Sequence, residues 1–167
     1  MTTGASNAPA ITIRAATADD VPALIAMVNA AYRRSEGDVF PTSERVDRTD
    51  AMQHLPRIVV AEVGGVVAGS IDIELSGDTA HFGMLATDVG MQGRGIGSLL
   101  VDHAEEQARA AGHTVMRIEV VKEGGRVPWY ERKGYRVLRE TPGQSWNGGQ
   151  DWGAVAPWHM VDMEKEL

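Results

Sequence analysis

Apolar and polar residues recur along this chain with a period that changes in an ordered way. Ile11, Ile13 and Ala15 alternate with Thr12 and Arg14, which predicts a short first strand. The period then lengthens: Val21, Leu24, Ile25, Val28 and Tyr32 make one apolar helical stripe, ending near Arg33-Arg34, whose charge suits a helix C-terminus. Thr17-Ala18-Asp19-Asp20 has capping-box spacing with Asp in the Glu/Gln role, and Pro22 falls in the first turn, where a missing N–H is harmless. Arg57 to Val63 and Val66 to Leu75 are β-rich runs joined by Gly64-Gly65, the composition of a two-residue hairpin turn. Ser76-Gly77-Asp78 turns the chain again, into a fourth strand from Ala80 to Val89. Ile96, Leu99, Leu100, Ala104, Ala108 and Ala111 then line one face of a long helix that Gly112 stops. Val115 to Val121 predicts a fifth strand, Val127 to Lys133 a short helix ended by Gly134, Tyr135 to Glu140 a sixth strand and His159 to Glu166 a last one.

Two stretches resist this reading. Ser35 to Pro56 is polar and without a clean period; we read a loop with a short helix around Glu44 to His54, either a wall of a substrate site or a solvated connector. Residues 1–10 are small and polar, which predicts a flexible tail ahead of one domain over residues 11–167.

Charge and composition narrow the function. Sixteen basic against 23 acidic residues give a net charge of −7, and with no basic run, nucleic acid and anionic membrane are poor partners while an amine suits the field. The chain has no cysteine, so disulfides, thiolate metal sites and acyl-cysteine intermediates are excluded, and any acyl transfer is expected to be direct. The five histidines show no metal-ligand spacing. The N-terminus has neither a basic nor an apolar leader region and the most apolar window is broken by charges and glycines, so a cytoplasmic protein is expected.

The chemistry concentrates at Gln92-Gly93-Arg94-Gly95-Ile96-Gly97, between the fourth strand and the long helix. Backbone amides at a helix N-terminus, uncovered by side chains, favour phosphate. A nucleoside-triphosphate loop would end in Gly-Lys-Ser/Thr, but Ser98-Leu99 follows Gly97; a dinucleotide-binding loop would follow a βαβ unit, but a meander precedes this one.

The loop also matches the Gln/Arg-x-x-Gly-x-Gly/Ala pattern of the GCN5-related N-acetyltransferases, through Gln92, Gly95 and Gly97. Phe82 to Asp88 resembles that family's fourth strand, and Trp129-Tyr130-Glu131-Arg132-Lys133-Gly134-Tyr135 resembles its Tyr-x-x-x-Gly-Phe/Tyr signature. The order of elements from Ile11 to Leu167 fits as well. The resemblance implies an α/β (α+β) fold with a mixed, mostly antiparallel seven-stranded sheet splayed between strands four and five and flanked by helices. It implies acetyl-CoA as cosubstrate, with no metal: the pantetheine arm on the backbone of Leu85, Ala86 and Thr87, the pyrophosphate on amides of Gly93, Arg94, Gly95, Ile96, Gly97 and Ser98, with Gln92 opening the loop. The family's frequent asparagine seven residues before the tyrosine is replaced by Glu123, so that contact is not carried over.

Transfer to an amine removes a proton from nitrogen and delivers one to sulfur. A thiol titrates near about 8.5 and a phenol near about 10, so a tyrosine can protonate a departing thiolate; Tyr130 matches the family's tyrosine, a packed aromatic being its other use. Glu119 lies in an otherwise apolar strand, where a carboxylate needs a partner or a function. It resembles the general base of some relatives, or it pairs with an arginine such as Arg117 or Arg136; Asp72 and Glu74 are weaker candidates. Trp146, Trp152 and Trp158 fit an acceptor wall, a homodimer contact or plain packing under a long loop. The expected activity is N-acetylation of a small amine or amino-acid-like metabolite; a protein N-terminus or lysine as acceptor, and a coenzyme A sensor without turnover, are the alternatives.

Overall fold

A computed structural model describes residues 9–42, 44–149 and 152–167. The expected tail falls mostly on residues 1–8, outside the described residues. Seven strands form one sheet: β1 (Ile11–Ala15), β2 (Ile58–Val63), β3 (Val66–Glu74), β4 (Ala80–Thr87), β5 (Val115–Val121), β6 (Arg136–Pro142) and β7 (His159–Glu166). Their order is β1-β2-β3-β4-β5-β7-β6, antiparallel at every pairing except β4 with β5. The helices are α1 (Val21–Glu36), α2 (Arg48–His54), α3 (Ile96–Ala110) and α4 (Val127–Arg132).

Both faces of the sheet are covered, which is why β2 reads Ile58-Val59-Val60-Ala61 without alternation. Ile58 and Val60 pack with Leu24, Val28 and Ala31 of α1, whereas Val59 and Ala61 join Leu100, Ala104 and Ala108 of α3. Gly69 permits the close seat of α3: a Cβ there would lie 2.7 Å from Ile96 Cγ2. On this helix Ile96, Leu100, Ala104 and Ala108 are buried as the stripe requires, but Leu99 faces solvent.

The sheet opens where the site lies. The parallel pair β4–β5 is joined only at Ala80–Met116 and His81–Arg117, after which the strands part. A bulge marks the divergence: Met84 and Leu85 together oppose Ile71, because Gly83 pairs with Asp72 and Ala86 with Ser70. Met84 has φ 46°, a left-handed conformation uncommon outside glycine, and such a bulge bends β4.

Several boundaries move for local reasons. The strand β4 stops at Thr87 because the Asp88 carboxylate accepts the Gly90 N–H and the Asp88 carbonyl accepts that of Met91, turning the chain. The helix α2 starts at Arg48, where Asp47 and Asp50 cap each other's backbone N–H groups. Tyr135 stays out of β6 because its N–H closes α4 on the Tyr130 carbonyl.

Candidate active site in the split of the sheet

The glycine loop crosses from β4 to α3 with Gly93 and Gly95 at φ 80° and 79°, where a Cβ would be strained and where neither glycine has a heavy atom within 4 Å of that position. Gly95 caps α3, so the first-turn amides of Ile96, Gly97 and Ser98 have no partner inside the helix. They open on a cavity of about 280 Å³ lined also by Thr87, Gln92, Gly93, Gly95, Arg126 and Trp129. Arg94 is exposed and lines neither this cavity nor the next. The Ile96 side chain turns into the core, leaving only its backbone for a ligand.

A second cleft of about 230 Å³ fills the gap between β4 and β5, walled by Leu85, Ala86 and Thr87 on one strand and by Glu119, Val120 and Val121 on the other. Thr87, Gly97, Arg126 and Trp129 line both cavities, so the two adjoin. Taken together as one trough, the adjoining cavities offer an anion seat at one end and an unpaired strand edge along the other, an arrangement that an amide-bearing arm can join as a further strand.

Tyr130 comes to this trough from α4. Its ring is buried beside Trp129, Phe82 and Tyr135, with centroids 4.9, 6.2 and 5.9 Å away, while the residue lines the cleft; its hydroxyl makes no hydrogen bond among the described residues. Burial first, then nearby Tyr32, raises the phenol above its ordinary range, and Arg126 opposes this. The group stays protonated at neutral pH. The ring is thus packed in the core and at the same time borders the cleft.

Glu119 lines the same cleft without an ion pair among the described residues. The cross-strand bridge does not form: Arg117 and Arg136 both bind Glu164, and Arg139 binds Asp162, the residue opposite Glu119 on β7. Desolvation first, then Asp162, raises the Glu119 carboxyl, against His81 and Arg139. Asp72 and Glu74 are occupied elsewhere. Arg57 donates to Asp72 at 2.8 and 2.9 Å and also to Glu74, and His54 Nδ1 sits 2.6 Å from Asp72. Glu123 accepts from the backbone and ring of His159, fixing the start of β7.

Sequence reasoning missed part of the wall. Tyr32, Ser35 and Glu36 from the end of α1, together with Arg45, close one end of the cleft. Only the polar segment's lack of period hinted at Arg45. The three tryptophans divide: Trp146 and Trp152 line the cleft, while Trp158 is buried on Phe40 and Gly143. A Cβ on Gly143 would sit 2.1 Å from the Trp158 ring, so that glycine is required by the indole.

A sheet split between a parallel strand pair, with a glycine loop capping the following helix, is the arrangement that the resemblance to the GCN5-related N-acetyltransferases implies. A family model for the acetyltransferase (GNAT) domain matches residues 54–137, and the chain belongs to this family. The fold is shared with ribosomal-protein-alanine N-acetyltransferase of Brucella melitensis at 23% identity, covering 93% of this chain and 99% of that one with a TM-score of 0.72. It is shared also with yncA of Salmonella typhimurium, solved with its cofactor acetyl-CoA (22% identity, 95% and 94% covered, TM-score 0.73). PaiA N-acetyltransferase of Thermoplasma acidophilum, solved with coenzyme A, gives 16% identity, 95% and 99% coverage and a TM-score of 0.76. No curated protein sequence matches the chain. Among the described residues no helix is long and apolar enough to cross a membrane.

Proposed function

We propose that the protein transfers an acetyl group from acetyl-CoA directly to a primary amine, both substrates being bound together, and that the acceptor is a small amine or amino-acid-like metabolite. One observation carries the reading: Glu119 and Tyr130, from different elements, line the same cleft, and that cleft adjoins the cavity over the glycine loop. Acetyl-CoA supplies a thioester, whose carbonyl carbon accepts a nucleophile. The chain's residues fit it: free first-turn amides and glycines without Cβ for the pyrophosphate, and the open edge of Leu85, Ala86 and Thr87 for the amides of its arm.

In this reading Glu119, held above its usual range by desolvation, takes a proton from the acceptor's ammonium or from a water beside it. The freed nitrogen bonds to the acetyl carbon, the carbon–sulfur bond breaks, and Tyr130 gives its proton to the sulfur. The second proton leaving the nitrogen restores the phenol and Glu119 releases the first to solvent, so the ammonium yields one proton to the thiol and one to water. With no cysteine in the chain, no thiol is available to carry the acetyl group between substrates.

Calorimetric titration with acetyl-CoA, followed by thiol release on the same sample against amines, amino acids and peptides, tests the reading. We expect binding, and release with one acceptor class. Absence of binding would overturn the assignment of the loop; binding without release across the panel would leave a coenzyme A sensor.

A further inference from the structure

The acceptor end of the cleft is built around a guanidinium. Arg45 forms an ion pair with Glu36, which is only 7% exposed. Its guanidinium carbon also stands 4.9 Å from the Tyr32 ring centroid, 5.0 Å from that of Trp152 and 5.6 Å from that of Phe40. Three aromatic rings and a buried carboxylate fix the plane of the fork, which reduces the ordering a ligand must impose. Only Nη2 is used, on Glu36, so among the described residues the other N–H groups of Arg45 have no hydrogen-bond partner; none of its nitrogens is both buried and unpaired, and the residue lines the cleft.

Local charge differs from the overall charge. The chain carries −7, but the cleft is lined by two carboxylates, Glu36 and Glu119, and two guanidiniums, Arg45 and Arg126. Arg126 also borders the cavity over the glycine loop, on the phosphate side. The cleft therefore offers Glu119 for an ammonium and the spare N–H groups of Arg45 for an anion, with Trp146, Trp152 and Met160 in the same lining as apolar surface. A plain cation would leave the Arg45 edge unmatched. A zwitterion matches both groups.

We propose that the acceptor carries an acid group beside its amine, as an amino acid with an apolar or aromatic side chain does, and that Arg45 holds that acid group. This rests on the acetyl-transfer reading and narrows it.

The test compares phenylalanine with phenylalaninamide and 2-phenylethylamine, and leucine with leucinamide and isoamylamine, as ligands of the coenzyme A-loaded protein by calorimetry. The acids should bind at least about tenfold tighter than their amides and amines, as charge-assisted bidentate contacts imply. Removing Arg45 alone leaves Glu36 buried without its ion-pair partner, so the first variant is Glu36→Gln/Arg45→Gln, checked by thermal melting. The preference should fall below about threefold in it. Arg45→Lys, which keeps a cation beside Glu36 and loses the planar fork, should also lower the preference. Equal binding of acid and amide, a preference that survives both variants, or failure of both acids to bind would overturn the proposal. Titration with acetyl-CoA alone reads the coenzyme assignment separately, since it does not involve Arg45.

Discussion

The two ends of the trough are made in opposite ways. The end proposed for the coenzyme is almost all backbone: fourteen consecutive residues, Leu85 to Ser98, supply a strand edge, two left-handed glycines and the first amides of α3. The end proposed for the acceptor is gathered from α1, the segment before α2, β5 and the loop before β7 and depends on their side chains. Backbone recognition needs a conformation, and a conformation is written locally. Side-chain recognition needs positions, and only the completed sheet brings Tyr32, Arg45, Glu119 and Trp152 together. The first end suits a ligand common to many proteins; the second is where this chain can be particular.

The largest expected break falls on the coenzyme end. Gly95→Trp places an indole where nothing lies within 4 Å of the Cβ position and imposes φ 79° on an L-residue, at about 1–2 kcal/mol of strain. Acetyl-CoA affinity should drop at least about 100-fold by calorimetry, with the helical circular dichroism retained. Wild-type affinity in that variant would remove the loop from the site.

Between the two ends, Tyr130→Phe should separate binding from chemistry. The ring remains to pack on Phe82 and Trp129, so acetyl-CoA affinity should change less than about threefold, while kcat falls by about 10²–10⁴, the range for losing a positioned acid. Unchanged turnover would take Tyr130 out of the proton path.

Glu119→Gln tests the acceptor end, with an expected loss of about 10²-fold in kcat/KM. The base must be ionised and its carboxyl is raised, so wild-type kcat/KM should climb with pH through that raised value, and the variant should lack this limb. The same shift fixes the stability sign. A carboxyl raised by folding opposes the folded state once ionised, so the glutamine variant should melt no lower than wild type at neutral pH. A lower melting temperature would mean that the carboxylate holds structure after all.

Legibility followed the same division. The loop, the capping box at Thr17 to Asp20 and the succession of strands and helices along the chain could be read because glycine, cap and period are local signals, whereas the seat of β7 between β5 and β6 could not. Asp47-Arg48-Thr49-Asp50 carried the same kind of cap but lay in a polar segment with no stripe to draw attention to it. The bulge gave no signal, since Met84 adopts φ 46° without being glycine, held between β3 and the opening gap. Nor could one tryptophan be told from another: Trp158 is selected for the core by Gly143, fifteen residues earlier, and Trp152 for the cleft by the Arg45 guanidinium. For Glu119 the sequence offered two partners, and the outcome turned on Glu164 taking both arginines.

The smallest effect asks whether the acceptor end can be loosened from behind. Tyr32 and Glu36 end α1, and the start of α1 is held by Asp20, which accepts two hydrogen bonds from Arg14, at 2.7 and 2.9 Å, and the Thr17 N–H at 2.8 Å. Arg14, chiefly, holds the Asp20 carboxyl down to about 2. Asp20→Asn should cost about 1–2 kcal/mol at neutral pH, the worth of the charge-assisted hydrogen bonds from Arg14 that it weakens at a partly exposed site. A depressed carboxyl contributes its stability above the unfolded value of about 4 and loses it as pH falls through the folded one. The melting gap between wild type and variant should therefore be full at neutral pH and close between about pH 4 and 2. A gap that persists to the bottom of that window would assign the stability to packing of the side chain instead. At neutral pH acetyl-CoA affinity should be unchanged in the variant, because α3 and the glycine loop do not rest on Asp20, whereas the KM for the acceptor should rise by about twofold as the far end of α1 gains freedom.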